Sequence, residues 1–382
     1  MNNPPPTVGR PTWLEIDPQG VVANYRLAKQ RVGASVAVYP VVKADGYGLG
    51  ALPLSQALVK AGAKGLCVGL VEEGAQLRQG GISVPLVLFA GLTPGVERLI
   101  IDLDLTPFLY DLQTAHSLSR EAVACKRQVP CYVKVNTGMG RIGFPPEQLA
   151  TLLPTLQALP GLQLLGIVSH LACSDEGEEG RVTSTQIRQF NQALTLLKGE
   201  NSRKYHHSLA NSGGTLYHPD SHFDWVRPGI MLYGASPAFP HRNDQEEGLV
   251  SVVRWLSRVI QIRSFPAGTP LGYGHTFTTQ KKSLIAQIPV GYGDGYARRL
   301  GNLAHVLIAG REAPVVGRVC MDLISVDVTD IPTVEVGSLV TLLGEDGTKR
   351  ITIEDMARWL ETIPYEVICA LGKRVPRYHS RS

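Results

Sequence analysis

A chain of 382 residues exceeds one ordinary compact domain and suits two. With 44% apolar and 18% charged residues it can bury a sizeable core, which argues against global disorder. A net charge of +4, with no block of like charges, leaves no electrostatic footprint for nucleic acid or for an anionic membrane surface.

The opening MNNPPPT has neither the basic start nor the apolar stretch of a secretory signal, and residues 1–11 read as a short disordered tail. Apolar runs follow at 36–42, 65–69, 85–89, 106–110, 130–135, 164–169, 206–209 and 229–232. Most are apolar throughout rather than alternating, as expected of strands covered on both faces. Amphipathic stretches at 52–61, 74–79, 113–124, 148–159 and 185–197 separate many of them and predict helices. Pro146 fits a helix start, and Pro154 is expected to kink or interrupt the same helix. Eight strands alternating with helices predict an α/β fold, a (β/α)8 TIM-type barrel over residues 12–245. A doubly wound open sheet shows the same alternation; the count of eight and the length of the segment favour the barrel.

From 246 to 382 the texture changes to short Val-, Ile- and Leu-rich runs between Gly, Asp and Pro turns, with a hairpin-type turn at Glu345-Asp346-Gly347. This predicts a C-terminal, mainly β domain with one helix, 353–360, capped by Thr352. No apolar run reaches membrane-spanning length. The six cysteines, at 67, 125, 131, 173, 320 and 369, form no C-x-x-C pair and no zinc spacing, so no metal is expected. They read as reduced thiols of a cytoplasmic protein.

Several strand ends carry residues able to do chemistry. Lys43 ends the first run in VVKADGYGLG, at the mouth where barrels of this class place their active sites. It is either a solvated lysine beside a glycine-bearing turn or an amine poised for a Schiff base. Lys134 and Arg141 flank the turn in KVNTGMGRIGF and are either surface cations or ligands for a carboxylate or phosphate. His170 ends the sixth run; His206 and His207 read as structural. Ser212, with Gly213 and Gly214, and the N–H groups of Gly229 and Ile230 could meet a phosphate. Arg227 either reaches inward or pairs with an acid on the rim. In the β domain, Tyr273, Tyr292, Tyr365, Met321 and Asp322 stand in glycine-rich or otherwise distinctive segments.

VVKADGYGLG, KVNTGMGRIGF, SHLACSDE, ANSGG, VRPGIMLYG, GYGHTF, PVGYGDGY, GRVCMD and ETIPYEV, in this order, resemble alanine racemase, from WLEID at 13–17 to VPR at 375–377. The resemblance implies a pyridoxal 5'-phosphate enzyme that interconverts L- and D-alanine by two-base proton transfer and supplies D-alanine for peptidoglycan. Lys43 then holds the cofactor as an internal aldimine and is one base; Tyr273, from the other subunit of a homodimer, is the opposing base. Tyr47, Ser212, Gly229, Ile230 and Tyr365 bind the cofactor phosphate, Arg227 faces the pyridine nitrogen, and His170 belongs to the network around the ring. Arg141 contacts the ring hydroxyl and the substrate carboxylate, which the backbone N–H of Met321 also holds. Lys134 is a candidate for carbamylation.

The family's usual K-A-N-A-Y-G-H-G reads here Lys43-Ala44-Asp45-Gly46-Tyr47-Gly48-Leu49-Gly50, and Asn136 stands where the family has Asp. Rival readings are a racemase of broader specificity, such as for serine, a decarboxylase of the same architecture, and a non-catalytic cofactor-carrying barrel. Arg227 in place of an acid opposes the decarboxylase, and residues 246–382 oppose the single barrel.

Overall fold

The computed structural model describes residues 9–90, 92–176, 180–196 and 205–380. Of the expected tail, residues 1–8 lie outside the described residues. The chain forms two compact units, one of Val21–Gly46 with Ala51–Leu232, the other of Met1–Gly20, Tyr47–Gly50 and Tyr233–Ser382.

The first unit is the barrel. A parallel sheet runs through Leu66–Val68, Leu86–Leu88, Leu105–Leu109, Val129–Lys134 and Leu162–Val168. Ala37–Val38 pairs in parallel with Trp225–Val226. Single bridges, Val41 to Cys67 and Val168 to Ser208, carry the ladder across the gaps. The staves Leu66–Val68, Leu86–Leu88 and Leu105–Leu109 are buried at every residue. Their continuous apolar runs follow from this, because helices cover one face and the barrel interior fills the other.

Two sequence expectations change here. The eighth stave is Trp225–Val226, whereas Ile230–Tyr233 is a fully buried 3-10 turn. Pro154 does not interrupt its helix, which runs unbroken over Leu149–Gln157 behind the 3-10 turn Pro146–Gln148.

The second unit is built on a ten-stranded sheet. Its path runs Gln261–Phe265, Ser283–Ile288, Ile324–Asp327, Arg311–Val316, His305–Ile308, Leu339–Asp346, Val253–Arg258, Thr12–Ile16 and Arg377–His379, with Lys349–Ile351 pairing off Leu339–Asp346. The strand Thr12–Ile16 therefore lies in this unit rather than in the barrel segment. Leu14 pairs with Trp255 on one side and Arg377 on the other. Residues 233–245 also belong here. Glu354 accepts the Ser236 N–H at 3.0 Å, and Arg350 grips buried Asp244 with two bonds. The helix Ile353–Leu360 begins as expected, with Thr352 Oγ1 accepting the Asp355 N–H at 3.0 Å.

Among the described residues no helix is long and apolar enough to cross a membrane, and no cluster of His, Cys, Asp and Glu could hold a metal ion. None of the six cysteines is in a disulfide.

Candidate active site

In the barrel unit the singled-out residues sit at or just beyond the C-terminal ends of the staves, where this fold places its chemistry. Lys43 follows the first stave and is exposed in the single chain. The backbone after it is unusual. Ala44, Asp45, Gly46 and Tyr47 all take positive φ, between 52° and 62°. A left-handed turn costs an L-residue roughly 1–2 kcal/mol per position, so neighbouring groups must hold this one. The Asp45 carboxylate accepts the Ala51 N–H at 2.8 Å, at the start of the helix Ala51–Lys60. The Glu73 carboxylate accepts the Ala44 N–H at 2.7 Å and, through its other oxygen, those of Gly69 at 2.7 Å and Leu70 at 3.2 Å.

Lys134 ends the fifth stave and is only 5% exposed. Burial first, then the charges of Arg227 and Arg141, press its ammonium pKa well below the ordinary lysine range. The turn beyond it is tied by Asn136, whose Oδ1 accepts N–H groups from Gly138 at 3.2 Å and Gly140 at 2.9 Å. The chain then folds back so closely that a Cβ on Gly143, at φ +125°, would lie 2.8 Å from the Asn136 nitrogen. Only glycine fits there. His170 is held neutral by burial, reinforced by Lys134, Arg227, Arg141 and Lys43. The imidazole thus lies within electrostatic reach of Lys134, Arg227, Arg141 and Lys43.

Arg227 follows the eighth stave and is 2% exposed. It donates to Ser208 Oγ, to the Ser169 carbonyl at 2.6 Å and to the Leu209 carbonyl at 3.2 Å. Every one of these partners is neutral. Burial pushes its pKa down to about 10, so it stays charged at neutral pH. It is an inward arginine, not a rim ion pair. Ser212 opens the short helix Ser212–Tyr217, and its Oγ accepts the Gly229 N–H at 2.8 Å. The expectation of open N–H groups on the glycine pair changes in one respect: Gly214 N–H is taken by Asn211 Oδ1 at 3.0 Å. His207 is structural, its Nδ1 accepting the Ile167 N–H.

The remaining candidates belong to the β unit. The Tyr47 ring is buried and stacks on Tyr233 at 4.4 Å, with Tyr365 tilted 6.2 Å away. Tyr273 is 69% exposed and starts the 3-10 turn Tyr273–His275; a Cβ on the next residue, Gly274, would lie 2.7 Å from the Arg318 guanidinium. Asn302 steadies this turn, donating to Thr276 Oγ1 at 3.0 Å while its Oδ1 accepts the Gly317 N–H. Tyr292 and Gly293 donate backbone bonds to the carbonyls of Cys320 and Met321, both at 3.0 Å. Arg374 reaches the Met321 carbonyl at 3.2 Å and Asp322 at 2.7 Å. The segments holding Tyr292, Met321 and Asp322 are therefore one structure. Sequence reasoning missed Glu73, Ser208, Asn302 and Arg374. Of these only Glu73 left a signal, an acid in the first turn of a helix after a stave.

The alanine racemase N-terminal domain family matches residues 16–237, and the alanine racemase C-terminal domain family matches 252–379. The chain belongs to the alanine racemase family. Alanine racemase of Halothermothrix orenii is 40% identical over 371 residues, spanning 97% of each chain. Among solved structures of the family, alanine racemase from D-cycloserine-producing Streptomyces lavendulae superposes with a TM-score of 0.92 at 31% identity, covering 98% of both chains. Alanine racemase of Bartonella henselae with covalently bound pyridoxal phosphate superposes at 0.87 and 32% identity, covering 97% of this chain and all of that one.

The family's two polar departures in this chain are acceptor-for-acceptor. Asp45 and Asn136 each use a side-chain oxygen to take backbone N–H groups, which either residue type can do. Leu49 in place of His is a fully buried apolar side chain.

Proposed function

We propose that this chain interconverts L- and D-alanine, with pyridoxal 5'-phosphate held on Lys43 and Tyr273 as the second base. The observation that carries the reading is the barrel mouth itself: an accessible amine on a stave end, grouped by charge with a neutral imidazole and with a buried arginine whose partners are all neutral. That donor set fits the cofactor. Its aldehyde needs an amine, its phosphate needs hydroxyl and N–H donors, and its ring nitrogen can face a permanent cation.

When bound, the cofactor supplies the electron sink that stabilises negative charge at Cα. The chain's own residues move the protons. The Lys43 amine and the Tyr273 phenol remove a proton from one face of Cα and deliver one to the other, in roles that swap with the direction of reaction. Arg227 remains charged and so keeps the ring nitrogen unprotonated, which weakens the sink and limits side reactions. A decarboxylase of this architecture carries an acid at that place. Ser212 Oγ, the Ile230 N–H and the Tyr47 and Tyr365 hydroxyls hold the phosphate, with the Gly229 N–H joining them by turning from Ser212 Oγ, which takes it in the fold. Arg141 and the Met321 N–H hold the substrate carboxylate, and neutral His170 belongs to the network around the ring. Tyr292 and Tyr365 narrow the approach and favour a small side chain.

Lys134 is proposed to carry a carbamate. Its depressed pKa leaves a neutral amine; the nitrogen bonds to the carbon of CO2 and a proton leaves, which turns a neutral group into an anion beside Arg141 and Arg227. Isotope-labelled bicarbonate should give a carbamate carbon resonance that is absent from Lys134→Ala. The working form is proposed to be a homodimer with shared sites, supported by the exposure of Tyr273 and Met321 in the single chain. The setting is proposed to be the cytoplasm, supported by six cysteines outside any disulfide, and the D-alanine product to feed peptidoglycan.

The purified protein should be yellow, lose that colour to borohydride, and convert L-alanine to D-alanine with serine turned over more slowly. Serine turned over as fast would assign the broader specificity. Lys43→Ala should lose colour and turnover together; retained turnover overturns the Lys43 assignment.

A further inference from the structure

We infer that Glu73 is a positioning residue that fixes Lys43 by binding both stretches of backbone that define the lysine's place. The inference rests on the reading of Lys43 as the amine that carries the cofactor. Glu73 Oε1 accepts the N–H of Ala44, the residue after Lys43 and the first of the left-handed turn. Oε2 accepts the N–H groups of Gly69 and Leu70 at the end of the second stave. Gly69 is also the surface along which the lysine stem runs, since a Cβ built on it would lie 3.5 Å from Lys43 Cβ and 3.7 Å from Lys43 Cδ. One carboxylate thus ties the turn that presents the amine to the backbone its methylenes lie against.

Helix capping alone does not explain this arrangement. Glu73 is the third residue of the helix Val71–Gln79, and a capping box needs only the bond back to Leu70. The bond to Ala44 crosses to a different segment and satisfies a donor in a backbone that L-residues avoid. A carboxylate has two oxygens and no donor, so it can accept on both sides at once. An amide cannot. Glu73→Gln sets an NH2 group against one of the two N–H clusters, and Glu73→Asp keeps both oxygens on a stem one methylene too short.

The test uses holoenzyme. Glu73→Gln and Glu73→Asp are compared with wild type and with Thr352→Ala, a helix-cap loss in the β unit that serves as a stability control. Three quantities are read: amide hydrogen exchange at Ala44 and Gly69, kcat against KM for L-alanine, and the pH midpoint of the visible cofactor band. In Glu73→Gln, exchange at both amides should rise about tenfold or more. Its kcat should fall on the order of tenfold to a hundredfold with KM changed little, as expected when a reacting group is misplaced. The band midpoint should shift, and Glu73→Asp should lie between Glu73→Gln and wild type in all three. The inference is overturned if Glu73→Gln matches Thr352→Ala in exchange at Ala44, in kcat and in the band midpoint. If Glu73→Gln does not fold, Glu73→Asp decides by the same three readings. Lys43→Ala separates the two levels: colour retained there defeats the underlying reading, whereas a colourless Lys43→Ala with an undisturbed Glu73→Gln defeats the Glu73 inference alone.

Discussion

At the scale of single residues, burial decides the charge states at the barrel mouth. In the fold, burial first and then the neighbouring basic groups hold the His170 pKa well below its ordinary value. Unfolded, it titrates near the ordinary value of about 6.5. Between that value and its lower folded one the unfolded chain binds the extra proton, so stability falls as the pH falls through this window. The same sign holds for Lys134, over a window reaching up to about 10.4. His170→Asn should flatten the decline of the urea midpoint below about pH 6.5; an unchanged slope would show that His170 is not held neutral. Lys43, Arg141, His170 and Ser212 were legible as candidates because each follows a run of strand texture. Asp45 and Asn136 were legible only as departures from a pattern. What they do depends on which amides the turns bring to them, and no local spacing states that.

At the scale of elements, sequence texture works where burial is uniform and fails where pairing is distant. The staves Leu66–Val68 and Leu86–Leu88 are continuous apolar runs because two layers cover them, whereas Leu162–Val168 is buried at its end but exposes Gln163. The stave Trp225–Val226 is too short to leave a pattern, and the more apolar 230–233 drew the assignment. The strand Thr12–Ile16 was not among the strand runs read from the sequence, and its partners lie far away at 253–258 and 377–379. Its anchor is just as distant. Arg10 donates two bonds, at 2.8 and 2.6 Å, to Asp294, which is fully buried and also bonded by Arg374 and the Gly291 N–H. Burial alone would raise the Asp294 pKa, but the hydrogen bonds from both arginines outweigh it. The resulting stability is present above the ordinary carboxylate range and is lost as the pH falls through the folded value. Arg10→Ala should cost about 2 kcal/mol at neutral pH, read from urea unfolding, and less in acid. An unchanged midpoint would reduce the pair to a surface contact.

At the scale of the whole molecule, the proposed site residues are divided between the two units. Lys43, Arg141, His170, Ser212 and Arg227 belong to the barrel unit, and Tyr47, Tyr273, Met321 and Tyr365 to the β unit. A change of texture near residue 245 was legible, but the second unit takes in residues from 233 onward, Tyr47–Gly50 and the first strand, which the texture did not show. If each site draws Lys43 from one chain and Tyr273 from its partner, two impaired proteins can complement. Co-expressed Lys43→Ala and Tyr273→Phe chains should recover about a quarter of wild-type activity, because half the dimers are hybrids with one intact site of two. Activity no higher than the sum of the separate variants would mean that each chain supplies both groups to its own site.

If, as proposed, an amine and a phenol act on opposite faces of one small substrate, the chemistry is direction-specific. The direct measurement is Cα hydrogen exchange into deuterium oxide, started separately from L- and from D-alanine, with wild type and Tyr273→Phe. Removing the phenol should slow exchange from one enantiomer by about a hundredfold or more while the other, served by Lys43, stays within a few-fold of wild type. Small and equal losses from both enantiomers would contradict the two-base assignment.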